Sequence, residues 1–328
     1  VTVETLLVPL VLGAGALFVL VECAEVAVSR ALALATTYDV PDVVVGVTVI
    51  AIGTSLPELS SHVIASVGIV AGTLDYTVTS ATVIGGNMGS STVQQTLLVG
   101  LFLVGYGHLT VTAAFVRTTY LPMLGAFLLT FAVSVDGTVG RLDGVVLLVA
   151  FAGYTYYNLQ QRERRLRLPE AESTNVRRDL LVTVGALVGI LASSYVVLVV
   201  VQAVVDRLAL GGSMLGVVTL GLASALPELS TVVDAIRRRA PNVALGTLVG
   251  SNVVNPLVGI GLGGVISSYH VPRSVIVWDL PFKLVVGVGL LAVLLRRDSR
   301  TLRRHDGALL VVAYFVYVTV RLLLFAGE

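Results

Sequence analysis

Residues 46–66 read GVTVIAIGTSLPELSSHVIAS, and residues 216–236 read GVVTLGLASALPELSTVVDAI. The second stretch copies the first, with identical partners for Gly46, Val47, Leu56, Pro57, Glu58, Leu59, Ser60, Val63 and Ala65. Coincidences of Leu and Val are cheap in apolar helices, whereas the aligned Pro57/Pro227 and Glu58/Glu228 are not. A glutamate near a bilayer midplane costs about 2.5–3.5 kcal/mol on the most lenient scale, so it marks a cation or proton path by default. Two of them at equivalent positions read as one site built twice.

The flanking sequence supports a membrane setting. Of 328 residues, 56% are hydrophobic and 12% charged, and mean hydropathy is +0.95. That leaves too little polar surface to cover a water-soluble domain of this size. Runs of about 20 apolar residues, enough to cross the hydrocarbon core at 1.5 Å per residue, recur along the whole chain. They predict ten helices, near residues 4–29, 40–70, 77–104, 117–135, 143–161, 180–206, 212–237, 242–268, 274–295 and 307–326. The amino-terminal apolar run has no basic segment before it and reads as a first transmembrane helix rather than a cleaved signal. Cys23, the single cysteine, rules out an internal disulfide or a thiolate metal cage.

Arginine distribution predicts orientation. With the longest loop in the cytoplasm, the inner loops hold Arg30, Arg117, the run from Arg162 to Arg178, Arg237 to Arg239, and the group from Arg296 to Arg304; the outer loops hold Arg141, Arg207 and Arg273. Both termini are then expected outside a multi-pass cell-membrane protein. The net charge of +1 gives no sign of a nucleic-acid partner. No obligatory protein partner is evident, which leaves small inorganic cations and the lipid bilayer as the expected partners.

The charged segment separates residues 1–161 from 180–328, with 162–179 as a basic cytoplasmic loop. Each half is expected to hold five helices. Five is odd, so the second half must enter the membrane with opposite polarity, as in the inverted-topology repeats of many secondary transporters. A second matched pair follows the first: residues 85–95 read GGNMGSSTVQQ and 246–256 read GTLVGSNVVNP. Both give G-x-x-x-G-S and then an amide, at Gln94 and Asn255. Small residues at this spacing can simply allow close helix packing. The added hydroxyl and amide at equivalent positions favour a polar site.

Pro57 and Pro227 lack an amide hydrogen and obstruct the preceding turn, so each helix is expected to break just before its glutamate. Free backbone oxygens are tolerated at that depth only where protein or a polar cavity covers them. A hard cation taking six to eight oxygens could draw on Thr54, Ser55, Glu58, Ser224, Glu228, Ser90, Ser251, Gln94 and Asn255, with the carbonyls of Ala51 and Gly221. Taken singly, Thr54, Ser55 and Ser224 read equally well as hydroxyls bonded back to their own helix. No His or Cys set suits a transition metal.

At these residues the chain resembles the cation/calcium exchanger superfamily, and GTSLPE at Gly53–Glu58 is closest to its sodium/calcium exchanger branch. The resemblance covers the whole chain. It implies an all-α polytopic membrane protein of ten transmembrane helices in two inverted repeats, with helices 2 and 7 broken at the ion site. The implied activity is antiport of Ca2+ against Na+, both using one central cluster in turn. Sliding of the first and sixth helices would switch access. Glu58 and Glu228 would be the central ligands. No cofactor is implied beyond the transported ions.

The chain departs from that pattern at Ala223, Ser224 and Ala225, which stand where Gly, Thr and Ser are usual, and at Ser91 and Gln94. Asn255 stands where sodium-coupled members often carry an aspartate. Two carboxylates neutralise one Ca2+, two Na+ or two protons, so H+/Ca2+ exchange is the alternative reading. A passive cation channel is a more remote one. An intramembrane enzyme is disfavoured, because neither H-E-x-x-H nor G-x-S-x-G occurs.

Five further polar residues have weaker readings. Glu22 and Glu25, three apart on one helix face, line the passage or pair with Arg30. His62, one turn past Glu58, is a packed residue or a proton relay. Asp234 is expected to pair with Arg237, and Lys283 to snorkel outward.

Overall fold

In the computed structural model, residues 3–38, 53, 55–161, 175–208, 211–238, 241–297 and 299–328 are described. Ala51, Thr54, Arg239 and most of the basic loop lie outside them, as does the Asp234 side chain. The described chain is almost entirely helical, and seven segments are long and apolar enough to cross a membrane: Leu7–Leu34, Ala113–Ser134, Arg141–Gln160, Val176–Arg207, Ala244–Ser267, Val275–Arg296 and Arg304–Phe325. The usual soluble arrangement is inverted. Leu7, Val11, Phe18, Leu128, Val149, Val285 and Leu323 face outward, while Ser55, Glu58, Ser90, Gln94, Glu228, Ser251 and Asn255 are buried. This is a polytopic membrane protein.

The two longest helices, α1 (Val3–Thr37) and, after the central loop, Val176–Leu208, pack along each other. They run antiparallel. Arg30 pairs with Asp179 at 3.2 Å, Gly189 faces Cys23, and Gly13 faces Val200, so rising numbers on one meet falling numbers on the other. Arg30 thus meets an acid of the opposite helix, while Glu22 and Glu25 are exposed.

The rest of the first half follows as α2 (Leu56–Val70), α3 (Tyr76–Thr92), α4 (Val99–Tyr106), β1 (His108–Thr110), α5 (Ala113–Phe115), α6 (Leu121–Ser134), β2 (Thr138–Val139) and α7 (Arg141–Gln161). After Val176–Leu208, here α8, come α9 (Gly212–Val218), α10 (Leu220–Ser224), α11 (Leu226–Arg238), α12 (Pro241–Val254), α13 (Gly261–Ser267), β3 (Tyr269–His270), α14 (Leu280–Arg296), β4 (Thr301–Arg303) and α15 (Arg304–Phe325). Apart from α1, which runs on to Thr37, the helix ends described fall within a few residues of the expected spans. Among the described residues, four π-helical turns have no counterpart in those expectations: Val93–Leu98, Val116–Tyr120, Asn255–Ile260 and Val275–Asp279. Two antiparallel clips cross between the halves, β1 with β4 and β2 with β3.

Lys283 corrects an expectation, and a second intramembrane base, Arg321, had no reading in the sequence. Lys283 is fully buried instead of snorkelling: its ammonium lies 4.0 Å from the centre of the Phe127 ring and 3.9 Å from Met88 Sδ. Arg321 is also fully buried, with Nε 3.2 Å from Asp279 Oδ1 and Nη2 donating to Ser213. Both sit among α3, α6, α9, α14 and α15, away from the two glutamates.

Glycine sets how closely α3 approaches α9 and α10. A Cβ on Gly216 would fall 2.8 Å from the Gly86 nitrogen, and one on Gly89 would fall 2.7 Å from the Val217 carbonyl. Backbone contact of this kind is the main attraction available to helices in lipid. Overpacking costs about 1–3 kcal/mol where side chains can yield, and backbone yields less. Gly216→Leu is therefore expected to abolish monodisperse protein in detergent, while Gly153→Ala, with nothing within 4 Å, should leave the melting temperature unchanged.

Candidate cation site

The prolines act at the start of a helix in both copies. Ser55 is the N-cap of α2, which opens Leu56-Pro57-Glu58, and α11 opens Leu226-Pro227-Glu228. There the missing amide hydrogen costs nothing. Leu59 N donates to Ser55 O at 2.9 Å and Leu229 N to Ala225 O at 3.0 Å, so both restarts have the same geometry. In the second copy the break is stepped: α9 ends at Val218, Thr219 lies at the edge of the α region (φ −94°, ψ −71°) with its helical hydrogen bonds to Leu215 and Ala223 kept, and α10 ends before Ala225. Each glutamate lies in a first turn, where the helix macrodipole favours a carboxylate.

Each carboxylate then meets the serine of the other motif in its own half. Ser90 Oγ donates to Glu58 Oε1 at 2.7 Å, and Ser251 Oγ donates to Glu228 Oε1 at 3.1 Å. Amides tie the halves together. Asn255 Nδ2 donates to Glu58 Oε1 at 3.2 Å, Gln94 Nε2 to Ser90 Oγ at 3.1 Å, and Asn252 Nδ2 to Gln94 Oε1 at 2.9 Å. Through Ser90, Gln94 and Asn252 the hydrogen bonds run from Glu58 to the neighbour of Ser251, the donor to Glu228. Gln94 and Asn255 both sit in π-helical turns, a local geometry frequent at functional sites.

The other expected members are close by. Ser55 is buried. Ser224 Oγ donates to Leu220 O at 2.6 Å within its own helix, and the residue lines a narrow cavity with Pro57, Glu58, His62 and Asn87. Gly221 packs on the backbone of Gly89 and Ser90. Asn87 and Asn252 belong to the network, although neither stood in the expected set. Asn252 was readable as the third letter of the second G-S-N; Asn87 has no counterpart in the second copy.

Several buried oxygens have no hydrogen-bonding partner among the described residues: Glu58 Oε2, Glu228 Oε2, Ser55 Oγ, Ser91 Oγ, and Oδ1 of Asn87, Asn252 and Asn255. A buried acceptor left unpaired costs about 1–3 kcal/mol, more if charged. The donor set is two carboxylates with hydroxyl and amide oxygens, which suits a hard cation.

A sequence model described as sodium/calcium exchanger protein matches residues 8–160 and again residues 179–323. The chain belongs to this family. It is thus one of a family of membrane antiporters and not an enzyme. It is 26% identical over 317 residues to inner membrane protein YrbG of Escherichia coli K12, covering 93% of this chain and 94% of that one. Among solved structures, it is similar to the sodium-calcium exchanger NCX_Mj, with a TM-score of 0.62 at 20% identity over 97% of this chain and 99% of the other. It is also similar to the H+/Ca2+ exchanger CAX, with a TM-score of 0.77 at 13% identity over 96% and 86%.

Asn255 offers a direct test of the electrostatics. An aspartate there would remove a donor from Glu58 and set a third carboxylate beside the other two. Asn255→Asp is expected to lower the melting temperature in cation-free buffer at pH 7. Adding Ca2+ or Na+ should restore it by a larger shift than wild type shows; equal shifts would overturn this account.

Proposed function

We propose that this exchanger carries Ca2+ against Na+ by alternating access. The observation that carries the reading is the matched pair Glu58–Ser90 and Glu228–Ser251, each leaving one buried carboxylate oxygen without a hydrogen-bond donor among the described residues. The ligands would be Glu58, Glu228, Ser55, Ser90, Ser224, Ser251, Gln94 and Asn255, with Thr54 and the carbonyls of Ala51 and Gly221 completing the set. Proton/calcium exchange is the second reading. It is favoured by Asn255, whose amide donates to Glu58 where a third acid would make a more strongly anionic site.

The finer architecture belongs to the same proposal: ten transmembrane helices in two inverted five-helix repeats, residues 1–161 and 180–328, joined by the loop 162–179. Support comes from the two separate family matches, one per half, and from π-turns and short strands recurring at equivalent places. The exchange of strand partners between halves, β1 with β4 and β2 with β3, is what a two-fold relation would produce. On the arginine distribution, the central loop faces the cytoplasm and both termini lie outside. The antiparallel α1 and α8 would be the pair that slides.

The test is uptake of 45Ca2+ into proteoliposomes, driven separately by a Na+ gradient and by a pH gradient. Uptake driven by Na+ is expected, with Glu58→Gln and Glu228→Gln each reducing it at least about thirtyfold, since losing one charge of a buried set costs about 2 kcal/mol or more. Uptake driven by pH alone would assign proton coupling. Uptake without either gradient would indicate a channel, and wild-type rates in both glutamine variants would end the proposal.

A further inference from the structure

Asn87 belongs to the buried network yet has no place in the ligand set above. It is 2% exposed on α3, and the equivalent position in the second copy is Leu248. Its amide is held in one orientation. Nδ2 donates to the carbonyl of Asn255 at 2.7 Å and lies 3.2 Å from His62 Nε2. Turned over, Oδ1 would meet that carbonyl, acceptor against acceptor, so the nitrogen must lie on this side. Oδ1 is then directed elsewhere, buried and without a donor among the described residues. Asn87 also lines the narrow cavity bounded by Glu58 and Ser224.

The hydrogens around His62 complete the arrangement. Because Nε2 accepts from Asn87, the ring proton resides on Nδ1, 3.3 Å from the Tyr269 hydroxyl. That hydroxyl donates to the His62 carbonyl at 2.9 Å and accepts from Ser66 Oγ at 2.8 Å. Tyr269 is fixed in turn by the pairing of β2 with β3. Every hydrogen has an acceptor, and both ring nitrogens of His62 are committed to holding its neighbours in place.

We infer that Asn87 Oδ1 is a further, uncharged ligand for the transported cation, and that His62, held by Tyr269, is the positioning residue that aims it. The inference rests on the cation-exchange reading and adds one oxygen to that site. An amide oxygen raises the coordination number without changing the charge. This favours Ca2+, which takes six to eight oxygens, over Mg2+, which demands a near-octahedral six. Because Leu248 occupies the equivalent position, only the first half supplies this ligand.

The test combines Ca2+ titration calorimetry on the purified protein with 45Ca2+ flux in proteoliposomes. Asn87→Leu is expected to raise the half-saturating Ca2+ concentration about tenfold or more, the scale of one lost contact to a charge, with maximal rate little changed. His62→Leu should do the same. His62→Gln, whose side-chain oxygen can still accept from Asn87, should bind nearly as wild type. Asn87→Asp adds a charge to the cavity and should alter the response of flux to an imposed potassium diffusion potential. Unchanged Ca2+ affinity in Asn87→Leu, together with a wild-type voltage response in Asn87→Asp, would overturn the inference. Wild-type protein that binds Ca2+ with this dependence but exchanges none would instead sink the exchange reading and leave the ligand standing.

Discussion

The structure depends on the burial of two carboxyl groups. Glu58 and Glu228 lie close to one another in an apolar bundle, where unpaired charge is expensive. Each receives a serine hydroxyl, and Glu58 also receives an amide. These are neutral donors, which solvate a charge without cancelling it. The two buried bases that could cancel it are engaged elsewhere, Arg321 beside Asp279 and Lys283 against the Phe127 ring. Among the described residues the chain therefore supplies the negative half of a neutral assembly, and on the exchange reading the cargo supplies the positive half.

Much of the surrounding architecture follows from placing those carboxylates accurately. The prolines restart helices α2 and α11 so that each glutamate falls in a first turn, and close glycine contacts bring α3 against the stepped segment α9–α10. The π-turns beginning at Val93 and Asn255 direct neighbouring residues in different directions. Gln94 bonds Ser90 at the site, whereas Gln95 donates to the Lys283 carbonyl on α14. The antiparallel pair α1 and α8 touches this core through aliphatic side chains, Leu20, Val197, Leu198 and Val201 among them, and through the hydrogen bond of Ser60 with Ser194 at 2.8 Å.

The membrane class and the heart of the site were legible because an intramembrane acid or amide is expensive wherever it occurs, so its presence alone carries information. Glu58, Glu228, Gln94 and Asn255 could be chosen on that ground, and a duplicated motif strengthens the choice. Asn87 is also an amide, but the second copy has Leu248 in its place, so no repeat draws attention to it and its part in the network emerges only from its hydrogen bonds to His62 and Asn255. Lys283 was misread for a related reason. A lysine near a helix end snorkels unless tertiary structure gives it a ring and a nearby acid, and those come from Phe127 on α6 and Asp279 one turn earlier. The π-turns have no sequence signature of their own, because the extra residue is accommodated by neighbours far away in the chain.

Charge arithmetic at the site bears on coupling. With two carboxylates ionised, one Ca2+ gives a neutral assembly, and so do two Na+ or two protons, whereas three Na+ would leave a charge of +1. An acid at position 255 would reverse the balance: three Na+ would be neutral and Ca2+ alone would be left at −1. Whichever form carries net charge must cross a region of low dielectric, where the cost rises steeply with that charge. Asn255 keeps the site oxygen-rich through Oδ1 while leaving its formal charge at −2. On the exchange reading proposed above, the loaded states that would cross without a charge penalty are those with two positive charges, and the amide at position 255 is then the argument for an electroneutral cycle.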